Sequence, residues 1–286
     1  MIILNDKHMN TKISFAARSH IGLVRSNNED NLYCDGEIIV PYSRDIPFAL
    51  SGETDVPCIF AVCDGMGGED DGEVASLVAV STLKEHEGVI TQAASTDATE
   101  SAVQEFVLHA NKTLCEMMRK SGRRMGTTLA LIVVSNSLIQ PYNIGDSRIY
   151  TLQNGQLSRV SEDHTLAAQK VRMGLITEEQ AELDCDKNKL TRYLGVFEDE
   201  MTVEAVEYDP LHIGDIDYRI LLCSDGLTDM VTERRIEIIL DTVNDAWEAV
   251  KLLVDEALKN GGRDNVTCII VDIDIRGVSY DRHQTI

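Results

Sequence analysis

Aromatic residues are scarce, 5% of 286 with a single Trp, so the core has to pack mainly through aliphatic side chains. Positive charge is short as well. Lys and Arg number 26 against 48 Asp and Glu, a formal net charge of −22. Nucleic-acid binding and adhesion to anionic membranes both need a basic surface, so neither is expected. No apolar run approaches the roughly 20 residues of a membrane-spanning helix. The first residues, Met1-Ile2-Ile3-Leu4-Asn5-Asp6, are too short and polar a stretch for a secretory leader, and a cytoplasmic location is expected. The seven cysteines are scattered and form no Cys-x-x-Cys pair, which speaks against zinc and for reduced, mostly buried thiols. A Gly-x-Ser-x-Gly elbow and a Walker loop are missing too, and no base is marked out for Ser224. Of the five prolines three fall in 36–57, which reads as an irregular insertion.

What is present is periodicity. Short alternating or apolar runs predict strands at 12–18, 32–34, 59–63, 127–134, 138–144, 147–152, 156–160, 201–208, 219–223 and 266–273. The pair at 147–160 is a hairpin around Asn154-Gly155. Helical spacing predicts 73–86, 97–120, 232–241 and 245–260. In 97–120, Val103, Phe106, Val107, Ala110, Leu114, Met117 and Met118 make one stripe, read as core. A mixed stretch from 162 to 200 is expected at the surface beside the sheet. The order is strands, two helices, hairpins, two helices and a strand. It does not alternate strand and helix, so antiparallel sheets covered by helix pairs are expected. Without repeats or linkers the chain reads as a single domain over 12–274, with tails at 1–11 and 275–286.

The stretch Cys63-Asp64-Gly65-Met66-Gly67-Gly68 holds an acid at the end of a buried run, followed by three glycines. It could hold a cation, cradle a phosphate, or simply turn the chain. Three other places repeat its pattern. Glu29-Asp30 precedes a strand, Asp225-Gly226 follows a buried run, and Asp264 precedes the last strand. A sheet can gather such strand ends at one edge. Gathered carboxylates repel and raise one another's pKa, and hard divalent cations remove that conflict. Oxygen ligands without a His or Cys cluster favour Mg2+ or Mn2+. A pair of such cations suits phosphoryl chemistry, because a water between them loses its proton and becomes the nucleophile. Arg25 is placed to clamp a phosphate, a surface ion pair being the alternative.

The chain resembles the bacterial metal-dependent serine/threonine protein phosphatases of the type 2C class. The resemblance is carried, in the family's order, by Gly22-Leu23-Val24-Arg25 with Asn28-Glu29-Asp30, by 63–68, Met125-Gly126-Thr127-Thr128, Ile144-Gly145-Asp146-Ser147-Arg148, Asp163-His164, 190–195, 223–229 and Gly262-Arg263-Asp264-Asn265-Val266-Thr267. It implies an α+β fold, a four-layer α-β-β-α sandwich of two antiparallel sheets flanked by helix pairs. It implies two Mn2+ or Mg2+ ions and, in bacterial members, a third. Asp64 would bridge two ions, with Asp225 and Asp264 completing one shell and Glu29 and the Gly65 carbonyl the other. Asp30 would act through a bound water, Asp146 would share a third ion with Asp225, and Arg25 would hold the substrate phosphate. The segment 165–200 corresponds to a variable flap beside the site. The implied activity is hydrolysis of phosphoserine and phosphothreonine in proteins, by in-line attack of a bridging water or hydroxide, opposing a cytosolic kinase and working as a monomer. Two other readings stay open, a partner-switching phosphatase of one regulatory phosphoprotein and an inactive phosphoprotein binder. One departure stands out. Many eukaryotic members carry a histidine two residues after the bridging Asp, and here that residue is Met66, so the leaving group's proton has to come from elsewhere. His164 is a candidate by residue type, with a structural role as the alternative. Gly126-Thr127-Thr128 reads as sheet packing, and Asp229 as a helix N-terminal charge.

Overall fold

The structure, a computed structural model, describes residues 10–40, 47–67, 71–214 and 217–276. The outer parts of both tails and Gly68 lie outside the described residues. Period-two alternation writes the sandwich. In β5 (Cys58–Gly67), Cys58, Phe60 and Val62 pack between two sheets, while Ile59, Ala61 and Cys63 pack against helices. A strand covered on both faces has to be apolar throughout, which explains its unbroken apolar run.

Among the described residues, one sheet runs in the order β10 (Gln156–Arg159), β9 (Arg148–Gln153), β13 (Tyr218–Cys223), β14 (Val266–Arg276), β1 (Asn10–His20) and β4 (Phe48–Thr54). The other runs β11 (Val206–Glu207), β8 (Leu138–Ile144), β7 (Leu129–Val134), β5, β2 (Asp30–Cys34) and β3 (Glu37–Ile38). Two short strands hang on it, β12 (Leu211–His212) on β8 and β6 (Met125–Thr127) on the far end of β5. The described pairings are antiparallel. Helices α1 (Asp71–Thr91) and α2 (Thr96–Ser121) cover the second sheet. Helices α6 (Glu233–Thr242) and α7 (Ala246–Lys259) cover the first. The expected four layers and flanking helix pairs are therefore present. Leu32, Phe60, Val62, Ile132, Ile220 and Val271 are fully buried between the sheets, each contributing about 1.5–3 kcal/mol through burial.

Local signals set the helix ends. Ser95 accepts the Ala98 N–H at the start of α2, and Gly122 in the left-handed region closes it. Asp245 caps α7 in the same way. Helices α3 (Leu166–Arg172) and α4 (Glu178–Ala181) lie in the 162–200 stretch, which is mostly loop as expected.

Three expectations need correction. The supposed irregular insertion at 36–57 contains β3 and β4, and β4 pairs with β1 from Ile13 opposite Thr54 to Ser19 opposite Phe48. Its polar, Gly-containing sequence hid it because an edge strand buries only part of one face, and Gly52 lies under the Phe15 ring. The strand expected over 201–208 shrinks to β11, because the Gln104 side chain of α2, not a neighbouring strand, bonds Ala205 N–H and C=O. At Asp64-Gly65, where a simple turn is one of three readings, the chain does not turn. β5 continues through Gly67, with Gly65 opposite Thr127.

Candidate metal centre

The alternation that builds the inter-sheet core also aims the acids. Val62 and Leu32 belong to that core, and the residues two positions away on the same strands are Asp64 and Asp30. These two acids stand directly opposite each other across the β2–β5 pair. The apolar core thus ends in a polar layer at one edge of the sandwich. Ser19 Oγ and Thr267 Oγ1 lie 2.8 Å apart, and Asn28 Nδ2 donates to Ser19 Oγ at 2.9 Å. Ser224 Oγ donates to Asp30 Oδ2 at 2.7 Å and accepts the Thr267 N–H at 3.0 Å. Ser224 is thus a buried support for Asp30.

Asp64 is pinned through its backbone. Its N–H donates to Thr128 Oγ1 at 2.9 Å, and its carbonyl accepts from Thr127 Oγ1 and the Thr128 N–H, both at 2.9 Å. Thr128 Oγ1 in turn lies 2.6 Å from Ser147 Oγ. The two threonines therefore position the central acid, beyond the packing role read from the sequence. Gly65 N–H donates to the Glu29 carbonyl at 3.1 Å. A Cβ on Gly65 would fall 2.0 Å from the Gly72 carbonyl oxygen, so only glycine lets β5, the Glu29 loop and the start of α1 meet.

Asp225 follows β13 at the first turn of α5 (Asp225–Thr228). Asp264 precedes β14, where Asn265 ties the approach together. Its Oδ1 accepts from Glu29 N–H at 2.8 Å, and its Nδ2 donates to the Ile21 and Asn27 carbonyls at 2.8 and 2.9 Å. Asp146 sits on a turn at Gly145, whose φ is 100°. His164 holds that turn twice, accepting the Gly145 N–H on Nδ1 and donating its own N–H to the Gly145 carbonyl, both at 3.0 Å. Burial pushes the His164 imidazole down to about 4, so it is neutral at pH 7. Through these two bonds it braces the turn that carries Asp146. Asp163 beside it is bound by Arg148 in a two-pronged pair at 3.0 and 2.7 Å.

The acids perturb one another. Burial raises Asp30 to about 7, and burial together with the Asp264 charge raises Asp225 to about 6. Asp64 and Asp146 are held well above the usual carboxylate range by burial and by neighbouring acids, Asp30 and Asp225 first among them. Burial also raises Glu29. Asp30 Oδ1 is buried without a hydrogen-bond partner among the described residues. An oxygen-only set in which Asp30, Asp64, Asp146 and Asp225 have no Lys or Arg ion pair among the described residues, with a buried acceptor left open, fits hard divalent cations.

Arg25 lies at the rim, half exposed, with Nη2 donating to Asp264 Oδ2 at 2.6 Å. It borders a cleft of about 570 Å3 that also holds Lys187, Asn188, Gly226, Arg263 and Asp264. Asp229, expected as a helix N-terminal charge, instead closes the C-terminal end of α5 and pairs with Lys187 at 2.9 Å. Sequence reasoning also missed Asn111. From α2 its Oδ1 accepts the Gly195 and Val196 N–H groups at 2.7 and 2.9 Å, anchoring the end of the 165–200 segment. A polar residue on an otherwise apolar helical stripe was its one visible signal.

The structure thus brings Glu29, Asp30, Asp64, Gly65, Asp225 and Asp264 to one sheet edge, with Asp146 on the adjoining turn and Arg25 at the rim. The same arrangement of the chain is found in known proteins. The family model described as protein phosphatase 2C matches residues 47–260. The serine/threonine phosphatase stp of Listeria monocytogenes is 34% identical over 260 residues, covering 90% of this chain and 95% of its own length. The serine/threonine protein phosphatase PstP of Mycobacterium tuberculosis is 33% identical over 278 residues, 96% of this chain, which spans 46% of PstP. A crystal structure of the PstP catalytic domain in complex with two manganese ions aligns with a TM-score of 0.73 at 29% identity, covering 92% of this chain and 99% of that one. From the family match, the relatives' coverage and the shared sandwich, the chain belongs to the protein phosphatase 2C family of metal-dependent serine/threonine phosphatases.

Proposed function

We propose that this chain hydrolyses phosphoserine and phosphothreonine in proteins, with Mn2+ or Mg2+ held by Glu29, Asp30, Asp64, Gly65, Asp146, Asp225 and Asp264. The observation that carries the reading is the convergence of acids at the end of the inter-sheet core, of which Asp30, Asp64, Asp146 and Asp225 have no Lys or Arg ion pair among the described residues. Asp64, Asp225, Asp264, Glu29 and the Gly65 carbonyl would hold two of these ions between them, and Asp146 with Asp225 would hold a third. Asp30, fixed by Ser224, acts one shell further out. Divalent cations bound there supply the charge that ionises an attacking water and offsets the phosphate's negative charge.

The chain's own residues do the rest. Arg25 turns from Asp264 to the phosphate oxygens and orients the group for in-line displacement. Thr127 and Thr128 keep Asp64 from shifting as charge redistributes. Met66 has no proton to give, so it takes no part in protonating the leaving group. The proposed catalytic domain spans 12–274, with 165–200 as its flap. The proposed setting is a monomer in the cytoplasm that opposes a serine/threonine kinase.

The test is hydrolysis of phosphoserine and phosphothreonine peptides with Mn2+ or Mg2+, abolished by EDTA. Asp64→Ala should lose several orders of magnitude in turnover, and retained activity in that variant sinks the assignment. Metal-independent inertness toward every phosphopeptide would instead favour a phosphoprotein-binding relative. Turnover confined to one regulatory phosphoprotein would favour the partner-switching reading. Comparing the phosphoproteomes of cells carrying the wild-type and Asp64→Ala forms identifies the substrates.

A further inference from the structure

We propose that the cavity of about 600 Å3 beside Met66 is a side-chain subsite of the substrate groove, taking an apolar residue two positions from the phosphorylated serine or threonine. The inference rests on the phosphatase reading above. Its walls include Met66 of β5, Met125 and Gly126 of β6, and Leu190, Tyr193 and Met201 from the loops after α4.

Position comes first. Met66 lies two residues past Asp64 on one continuous strand. Alternate residues of a strand share a face and stand about 7 Å apart. A substrate chain lying extended along this edge has the same repeat. With its phosphorylated residue over Asp64, its side chain two positions away falls over Met66. The cavity thus lies one strand repeat beyond Asp64.

Room comes next. Gly126 stands directly opposite Met66 in the β5–β6 pair. A Cβ there would fall 2.9 Å from Met66 Cε and 2.9 Å from Tyr193 Cδ2. The Leu194 carbonyl oxygen would be nearer still, at 2.7 Å, so glycine at 126 is what lets these walls close around the cavity. The volume lies within the usual range of ligand sites, and thioether side chains adapt to different apolar shapes.

Charge decides the class of side chain. The rim holds Arg124 and Glu200, already joined to each other by a two-pronged ion pair, with one bond at 2.9 Å. The Arg124 guanidinium also stacks on Phe197 at 4.8 Å. With the rim's charges satisfied, nothing there calls for an acidic or phosphorylated neighbour, and the apolar walls favour Leu, Ile, Met or Phe. The residue that departs from the family's histidine pattern thus becomes the shared wall between the acids and this subsite.

The experiment uses the full chain with Mn2+ and phosphothreonine peptides that differ only in carrying Leu or Asp two positions before or after the phosphothreonine. On one of the two sides the Leu peptide is expected to have a kcat/KM about tenfold higher, with the difference in KM. In Met201→Glu the Leu-to-Asp ratio should fall to near one, with p-nitrophenyl phosphate used to normalise the variants. Leu190→Glu, which brings the charge from another wall, should do the same and serves if Met201→Glu does not melt like wild type. A wild-type preference below about twofold on both sides, or a preference unmoved in both variants, overturns the subsite. If no phosphorylated substrate turns over, the phosphatase reading fails, and calorimetric binding decides the subsite separately. Tighter binding of the Leu peptide supports it, and equal binding overturns it.

Discussion

Two groups of acids in this molecule behave in opposite ways. Asp184 and Asp186, with Cys185 between them, place their ligand atoms within 4.8 Å of one another. Yet Lys170 reaches Asp184 at 2.8 Å and Asp186 at 2.7 Å, and Lys189 reaches Asp186 at 2.6 Å. Hydrogen bonds from Lys170 and Lys189 hold the Asp186 carboxyl down at about 2. At the sheet edge the shifts run the other way, because burial and neighbouring acids disfavour charge on Asp30, Asp64, Asp146 and Asp225. Among the described residues none of these four forms an ion pair with Lys or Arg. Proximity of acids is therefore a poor guide to a metal centre. The informative feature is whether the chain has already neutralised them.

The largest effect should come from Asp64→Asn. Phosphopeptide turnover should drop at least about a thousandfold. In EDTA the variant should melt no lower than wild type, and up to a few degrees higher, because one repelling buried charge is gone. A clear fall in melting temperature in EDTA would mean that these acids stabilise the fold unaided, and the contrast would collapse.

Thr128→Val removes the hydroxyl that accepts from Asp64 N–H while keeping its shape. The kcat should fall about 10- to 100-fold with KM nearly unchanged, as for other supports of a ligand. Steady-state kinetics on one phosphopeptide checks this.

Protonation sharpens the comparison next. Asp225 is raised to about 6 in the folded chain, above its unfolded value near 4. Its contribution to stability is then fully present below about pH 4 and is lost as pH rises through about 6. In EDTA, wild type should lose on the order of 2 kcal/mol relative to Asp225→Asn between pH 4 and 7, and saturating Mn2+ should remove that loss. His164 runs the other way. Lowered to about 4, it costs stability as pH falls from about 6.5, but this cancels between wild type and the Asp225 variant. Urea unfolding at several pH values provides the measurement.

The smallest effect belongs to the compensated cluster. Lys170→Ala should change phosphopeptide turnover by less than about threefold, because exposed ion pairs contribute little. It should loosen the 165–200 segment, read as faster proteolysis there.

The layered fold was legible because alternation and helical spacing are strong wherever a face is buried. Strand β5 and the stripe of α2 show it. Strand β4 was not legible, since its one inward face packs around Gly52 and its polar residues face out. Glu29, Asp30, Asp64, Asp225 and Asp264 could be named from their places beside apolar runs and Asp146 only through the family resemblance, but their supports could not. Thr128, Ser224 and Asn265 act through contacts with residues more than 40 positions away, or across the sandwich, which no local pattern records. Asp64-Gly65 was ambiguous for the same reason. The pairing that keeps it a strand comes from Gly126 and Thr127, far along the chain.

The ladder between β1 and β14 runs from Asn10 opposite Arg276 to His20 opposite Val266, and Asp264 and Asn265 stand just before it. A ribosome delivers those residues after every other acid of the site, and the sheet that holds them cannot zip until β14 has emerged. A nascent chain therefore carries most of its acids before the strand that completes their sheet has emerged, and the acids can gather only once β1 meets β14.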